Sequence, residues 1–150
     1  GGFPVGATMA TEQVAATMSA GSHGSTFGGN PLAMACANAV LDVVLGDGFL
    51  DNVNAMSKRL CKGLDDLVAK FPNDLAGVRG KGLLLGLQFQ GNGSEAGAMV
   101  AKANALGLLS VPAGDNVMRM IPPLVIESAH VDEALGILDK ALAETAAKVD

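Results

Sequence analysis

Gly24-Ser25-Thr26-Phe27-Gly28-Gly29-Asn30-Pro31 runs straight into the apolar segment Leu32-Ala33-Met34-Ala35. Asn is among the best helix N-caps, and Pro is favoured at the first helical position, where its missing N–H costs nothing. Gly28 and Gly29 permit backbone angles or close approaches that a side chain would block. Ser25 and Thr26 therefore sit on a constrained loop just ahead of a helix, where they can present hydroxyls to a fixed polar group. Taken alone, the stretch is equally a well-capped helix following a loop.

Working outward, residues 5–10 read as a short strand and residues 11–17 as a turn or short helix. The helix over residues 31–45 is apolar on nearly every side, with Asn38 and Asp42 its strongly polar interior positions. Such a helix is expected to be buried from several directions, to join two domains and to line a subunit interface. Gly46-Asp47-Gly48 breaks it. Over residues 49–71, Phe49, Val53, Met56, Leu60, Leu64, Leu67 and Val68 recur at three- and four-residue steps, the one-face pattern of an amphipathic helix. Lys58, Arg59, Lys62 and Asp65 fall on its other face and read as solvated surface.

Two strands follow, over residues 76–79 and 83–89, then a polar turn over 90–93 and a helix over 94–106. Residues 108–111 and 117–121 read as strands around the turn 112–116, and Pro122-Pro123 ends the second, because proline cannot donate to a sheet. The last helix spans residues 129–148, with Ser128 as its N-cap, Asp132 and Glu133 near its positive end, and a buried stripe of Val131, Ala134, Leu135, Leu138, Leu142 and Ala146. The pattern is α+β: a helix pair, then a small, largely antiparallel sheet covered by helices.

The 150 residues suit one domain, or one small domain with a piece of another. Trp and Tyr are absent, so Leu, Val, Ala and Met must build the core. A net charge of −5 without a basic patch argues against a nucleic-acid footprint. No apolar run is long enough to span a bilayer, and the first residues carry no signal-peptide pattern, which in a fragment of a longer chain says nothing about targeting. Cys36 and Cys61 lie in predicted helices without a Cys or His at metal-ligand spacing, so both read as buried free thiols, fitting a reducing cytoplasm. His23 and His130 likewise lack a metal-ligand partner, and no metal site is expected.

Arg119 stands alone among Val117, Met118, Met120 and Ile121. A charge there must face solvent or a partner, since an unpaired buried charge is expensive. Alternation sets it opposite Met118 and Met120, on an exposed face. Arg79 and Lys81 lie in the Gly-rich run Gly77-Val78-Arg79-Gly80-Lys81-Gly82-Leu83, but a phosphate-binding P-loop needs Ser or Thr after its lysine, and Gly82 stands there. That run reads as a tight entry into the strand over 83–89.

Together, Gly1-Gly2-Phe3-Pro4-Val5-Gly6-Ala7, the Ser25-Thr26 loop, the run 77–83 and Met118-Arg119-Met120-Ile121-Pro122-Pro123-Leu124 resemble, in order and spacing, the class III aminotransferases, which use pyridoxal phosphate. The resemblance covers essentially the whole chain and is greatest for the acetylornithine-type branch. It implies an α+β small C-terminal domain (residues 46–150) of a fold-type I pyridoxal-phosphate-dependent transferase. The tail of the α/β large domain, carrying the cofactor-phosphate loop and interdomain helix, would precede it (residues 1–45). It also implies a cytoplasmic homodimer in which Thr26 hydrogen-bonds the cofactor phosphate across the subunit interface, Ser25 lies beside that pocket close to substrate, and Arg119 grips the α-carboxylate of glutamate or 2-oxoglutarate. The implied reaction moves an amino group between N-acetylornithine and 2-oxoglutarate, a step of arginine biosynthesis; ornithine, succinylornithine or 4-aminobutyrate are the alternative donors.

In that family the Gly-Gly-Phe-Pro stretch closely follows the Schiff-base lysine, whereas the first lysine here is Lys58. The catalytic lysine is thus expected upstream of Gly1, with this chain the C-terminal part of a longer enzyme, inactive alone. The rival expectation is a free-standing, non-catalytic binding or dimerisation module of the same fold. The missing lysine favours it, and the retained Thr26 and Arg119 argue against it.

Overall fold

The computed structural model describes residues 2–146. The chain divides into two compact units, Gly1–Phe49 and Leu50–Asp150.

In the first unit, α1 (Glu12–Ala15) is a single turn, and the Thr11 hydroxyl caps it by accepting from the Val14 N–H. α2 (Pro31–Val44) begins as its sequence dictates. The Asn30 side chain accepts from the Ala33 N–H at 2.9 Å and donates to the Phe27 carbonyl at 2.7 Å, locking the loop to the helix. The strand expected over residues 5–10 does not form. That segment is exposed and irregular, because no neighbouring segment offers it a ladder of hydrogen bonds. Nor is α2 buried from several directions within this chain. Ala33 alone is fully buried, while Leu32, Leu41 and Val43 are at least half exposed. Within the first unit its apolar faces outnumber the surfaces able to cover them.

The second unit is built from α3 (Phe49–Lys70), β1 (Leu75–Lys81), β2 (Leu84–Phe89), α4 (Glu95–Ala105), β3 (Val111–Ala113), β4 (Val117–Met120) and α5 (Ser128–Ala146). The strands form one antiparallel sheet in the order β1-β2-β4-β3. The α+β reading therefore holds. α3 buries Val53, Leu60, Leu64 and Leu67, the heart of its predicted stripe, and its Lys58, Arg59, Lys62 and Asp65 are exposed. α3 and α5 run alongside each other in the same direction, tied by a bidentate Arg59–Asp132 pair at 2.7 Å and by Lys70–Asp139 at 2.6 Å. Leu64, Leu87, Met118, Leu138 and Leu142 form the centre of the core.

Several boundaries differ from the sequence reading. β1 runs past its expected end at Arg79, through Lys81, to a two-residue turn at Gly82-Leu83. Gly82 takes a φ of 60° there, at the turn position where glycine is favoured. Residues 108–110 are not strand: Gly107 closes α4 with a φ of 95°, and the Leu108 N–H returns to the Ala103 carbonyl. β3 starts only at Val111, and Pro112 is accommodated because β3 is an edge strand. Ser128 is the first residue of α5 and not its cap; the Glu127 carbonyl accepts the first helical N–H, from Val131. Of the expected α5 stripe, Val131, Leu138 and Leu142 are buried, Ala134 and Leu135 half-buried, and the Ala146 side chain and the extension to Lys148 lie outside the described residues. Cys36 and Cys61 are free, but half-buried, since each lies at the margin of its helix's buried face.

Candidate functional site

In the first unit, residues 3–6 come together with Ser25 and residues 27–30, whereas Thr26 does not line the space they share. Phe3, Pro4, Val5 and Gly6 line one side of a hollow of about 530 Å³, and Ser25, Phe27, Gly28, Gly29 and Asn30 line the other. The two glycines do different work. Gly29 takes a φ of 70°, a backbone conformation side chains resist, whereas Gly28 lies so near Ser25 that an added Cβ would stand 3.1 Å from its Cβ. Thr26 and Ser25 are both exposed, and neither hydroxyl makes a hydrogen bond among the described residues. Two free hydroxyls beside a capped helix start are chemically suited to a phosphate oxygen, which accepts strong hydrogen bonds. They suit that end of a cofactor alone, because residues 1–49 contain no lysine.

In the second unit, Arg119 lies on β4 with an exposed side chain between buried Met118 and Met120. The alternation predicted from sequence is met on this strand, with one addition. Val117, on the same face as Arg119, is also buried. Gly86 on β2 and Val111 on β3 are the cross-strand partners of Arg119, and Arg79 on β1 is the partner of Gly86. Arg79, Gly86, Arg119 and Val111 thus form one row on one face of the sheet. Among the described residues no carboxylate pairs with Arg119. A guanidinium held on a strand, exposed and unpaired, is free to take a carboxylate bidentately.

The turn that feeds β4 is held from inside by Asn116. Its Oδ1 accepts from the Ala96 N–H at 2.9 Å, so this distant residue caps α4, while Ser94 makes no side-chain capping bond. Its Nδ2 donates to the carbonyls of Phe89 (3.2 Å) and Gln90 (2.8 Å) and to the Glu95 carboxylate (2.9 Å). The Glu95 carboxyl titrates below its ordinary range. Its own backbone N–H and that of Asn92 are the main causes, helped by the Gly93 N–H and the Asn116 amide and opposed by partial desolvation. Sequence reasoning did not find Asn116. The available signal was an Asn in a turn, a residue type that tolerates left-handed backbone, here with a φ of 57°.

An apolar groove of about 580 Å³ opens where β4 ends, lined by Met120, Ile121, Pro122, Ile126 and Val131 among others. His130 also borders it, and its Nδ1 accepts the Glu127 N–H at 3.1 Å, a structural role in line with the sequence reading. Among the described residues no group of His, Cys, Asp and Glu side chains is arranged to hold a metal ion, and no single helix is long and apolar enough to cross a membrane.

Comparison with known proteins gives this geometry a context. Residues 1–142 match the family Aminotransferase class-III. The chain is 47% identical over 148 residues to the acetylornithine aminotransferase of Agrobacterium fabrum, covering 99% of this chain and 36% of that protein. Among solved structures it is similar to the acetylornithine aminotransferase of Elizabethkingia anophelis, with a TM-score of 0.75, 33% identity, and coverage of 91% of this chain and 36% of the other. It is also similar to the ornithine δ-aminotransferase of Plasmodium falciparum, with a TM-score of 0.75, 30% identity, and coverage of 90% and 34%. The chain spans about a third of the length of the relatives it matches.

Proposed function

Because this chain belongs to the class-III aminotransferases, we propose that it is the C-terminal part of an enzyme moving an amino group between N-acetylornithine and 2-oxoglutarate. The observation that carries the proposal is the family match over residues 1–142, joined to 47% identity with an acetylornithine aminotransferase. Pyridoxal phosphate is the cofactor of this family, and when bound it supplies the electron sink for the reaction. The residues that would hold it here are Thr26, donating its hydroxyl to the phosphate, and the loop around Gly28 and Gly29. Ser25 lines the hollow beside that loop, close to substrate. What supports this assignment is the pair of exposed hydroxyls without internal partners.

Arg119 anchors the α-carboxylate of glutamate and 2-oxoglutarate. Its exposure and lack of a carboxylate partner among the described residues support that role. Residues 1–45 are the tail of the cofactor-binding domain and residues 46–150 the small domain. The lysine that moves the proton belongs to a preceding segment, and the enzyme works as a cytoplasmic homodimer with Thr26 acting in trans. Two unpaired cysteines suit that reducing compartment.

The test is to assay the complete protein for transfer to 2-oxoglutarate from N-acetylornithine, ornithine, succinylornithine and 4-aminobutyrate at equal concentrations. The highest kcat/KM is expected with N-acetylornithine. A preference for ornithine would assign the enzyme to the branch of its Plasmodium structural relative, and absence of transfer from every donor would leave a non-catalytic module.

A further inference from the structure

We propose that Arg79 is a positioning residue for Arg119, acting through the β3–β4 turn and not by touching the anion itself. This inference rests on the reading of Arg119 as the carboxylate anchor. Arg79 and Arg119 share a cross-strand row with only Gly86 between them. Two strand spacings separate their Cα atoms, about 10 Å, and both side chains rise from the same face. Two neighbouring guanidiniums in such a row would ordinarily both be available to an anion.

Arg79 is committed elsewhere. Its Nη2 donates to the Gly114 carbonyl at 3.3 Å and lies 3.4 Å from an Asp115 carboxylate oxygen. Gly86 between the two arginines makes room for Val117, since a Cβ there would stand 2.7 Å from Val117 Cγ1, and at 3.5 Å from Arg79 Cγ it would only touch the Arg79 side chain. Asp115 and Asn116 both adopt left-handed backbone, with φ of 60° and 57°. Asp and Asn tolerate that conformation better than other residues with a side chain, and the turn also has support from partners outside it. Asn116 provides it toward α4 and the end of β2. Arg79 provides it on the opposite face, gripping the preceding carbonyl and carboxylate. β4 leaves this turn directly, and Arg119 is its third residue. A turn clasped from both sides sets where the Arg119 guanidinium stands before any anion arrives.

The measurement is steady-state kinetics of the complete enzyme with glutamate as the varied substrate, together with a melting curve for each variant. Arg79→Gln and Asp115→Asn should each raise the glutamate KM about two- to fivefold, with kcat nearly unchanged. The double variant should be no worse than the worse single, because both cut one link. Arg79→Lys should restore part of the loss, and in an Arg119→Ala background Arg79→Gln should no longer change the glutamate dependence. Tighter glutamate binding in Asp115→Asn would mean that Arg79 acts as a second anion ligand once released, and would overturn the proposal. So would additive losses, or a loss from Arg79→Gln that persists without Arg119. Unchanged kinetics in Arg79→Gln beside impaired Arg119→Ala would overturn this inference alone, whereas unimpaired Arg119→Ala would remove the anchor and the inference with it.

Discussion

Replacing Asn116 with Ala removes the side chain that ties the β3–β4 turn to α4 and β2, and the structure fixes what is lost. The Ala96 N–H loses its cap at 2.9 Å, which costs about 1 kcal/mol. The carbonyls of Phe89 and Gln90 lose donors at 3.2 and 2.8 Å, each worth about 0.5–1.5 kcal/mol, less where water can replace the amide. Alanine at a φ of 57° adds roughly 1 kcal/mol of backbone strain. These contributions sum to about 3–5 kcal/mol, which replacement of the lost amide by water reduces to about 2–4 kcal/mol. Asn116→Gly removes the same hydrogen bonds but relieves the strain, so it should lie between Ala and the natural residue and separate the two contributions. The chain has no Trp or Tyr, so unfolding in urea is best followed by far-UV circular dichroism. With an m-value of about 2 kcal/mol/M, the midpoint should fall by about 1–2 M for Asn116→Ala. A loss below about 0.5 kcal/mol, or a Gly variant less stable than the Ala variant, would refute the view that this amide holds the turn.

Arg119→Ala and Arg119→Lys in the complete enzyme should each lower kcat/KM for glutamate at least about tenfold, Ala more than Lys, because Lys keeps the charge but lacks the planar fork. Melting temperatures should change little, since the side chain is exposed, and single-turnover kinetics with glutamate reads the effect directly. Thr26→Val should weaken cofactor affinity about ten- to a hundredfold, measured by equilibrium titration of the apoenzyme. Mixed dimers combining Thr26→Val in one subunit with a catalytic-lysine knockout in the other should retain substantial activity if Thr26 acts in trans, and little if it acts in cis. Glu95 titrates below its ordinary value of 4.5. Its folded-state pKa is depressed, so its stabilising effect is complete above the unfolded-state value and is lost as pH falls through the folded one. Glu95→Gln should flatten that acid limb in urea melts taken across the pH range; an unchanged limb would show that other carboxyls set it.

The helices were legible because their information is local. The Asn30-Pro31 start and the three- and four-step apolar recurrence from Val53 to Leu67 are written in consecutive residues, and the structure follows both. Residues 5–10 show the limit of that reading: an apolar run becomes a strand only if a partner lies beside it, and no local pattern reports the partner. The same limit applies past Arg79, where the local pattern ends the strand at residue 79 but pairing with β2 continues through Lys81. Around the candidate site, the exposure of Arg119 followed from alternation, while its surroundings did not. Val117 is buried on the face predicted to be open.

By itself the sequence determined the order of elements from residue 31 onward, the α+β class, the family, and the residue types suited to a phosphate and a carboxylate. All of these depend on neighbours along the chain or on motifs in fixed order. Only the tertiary structure decided that Asn116 caps a helix beginning some twenty residues earlier, that Arg79 reaches across Gly86 to Gly114 and Asp115, and that Phe3 to Gly6 share a hollow with Ser25. The physical reason is one of range. A helix period or a cap is set within one or two turns of chain, whereas the partner of a hydrogen-bonding side chain is whichever backbone group the folded chain brings within about 3 Å of it.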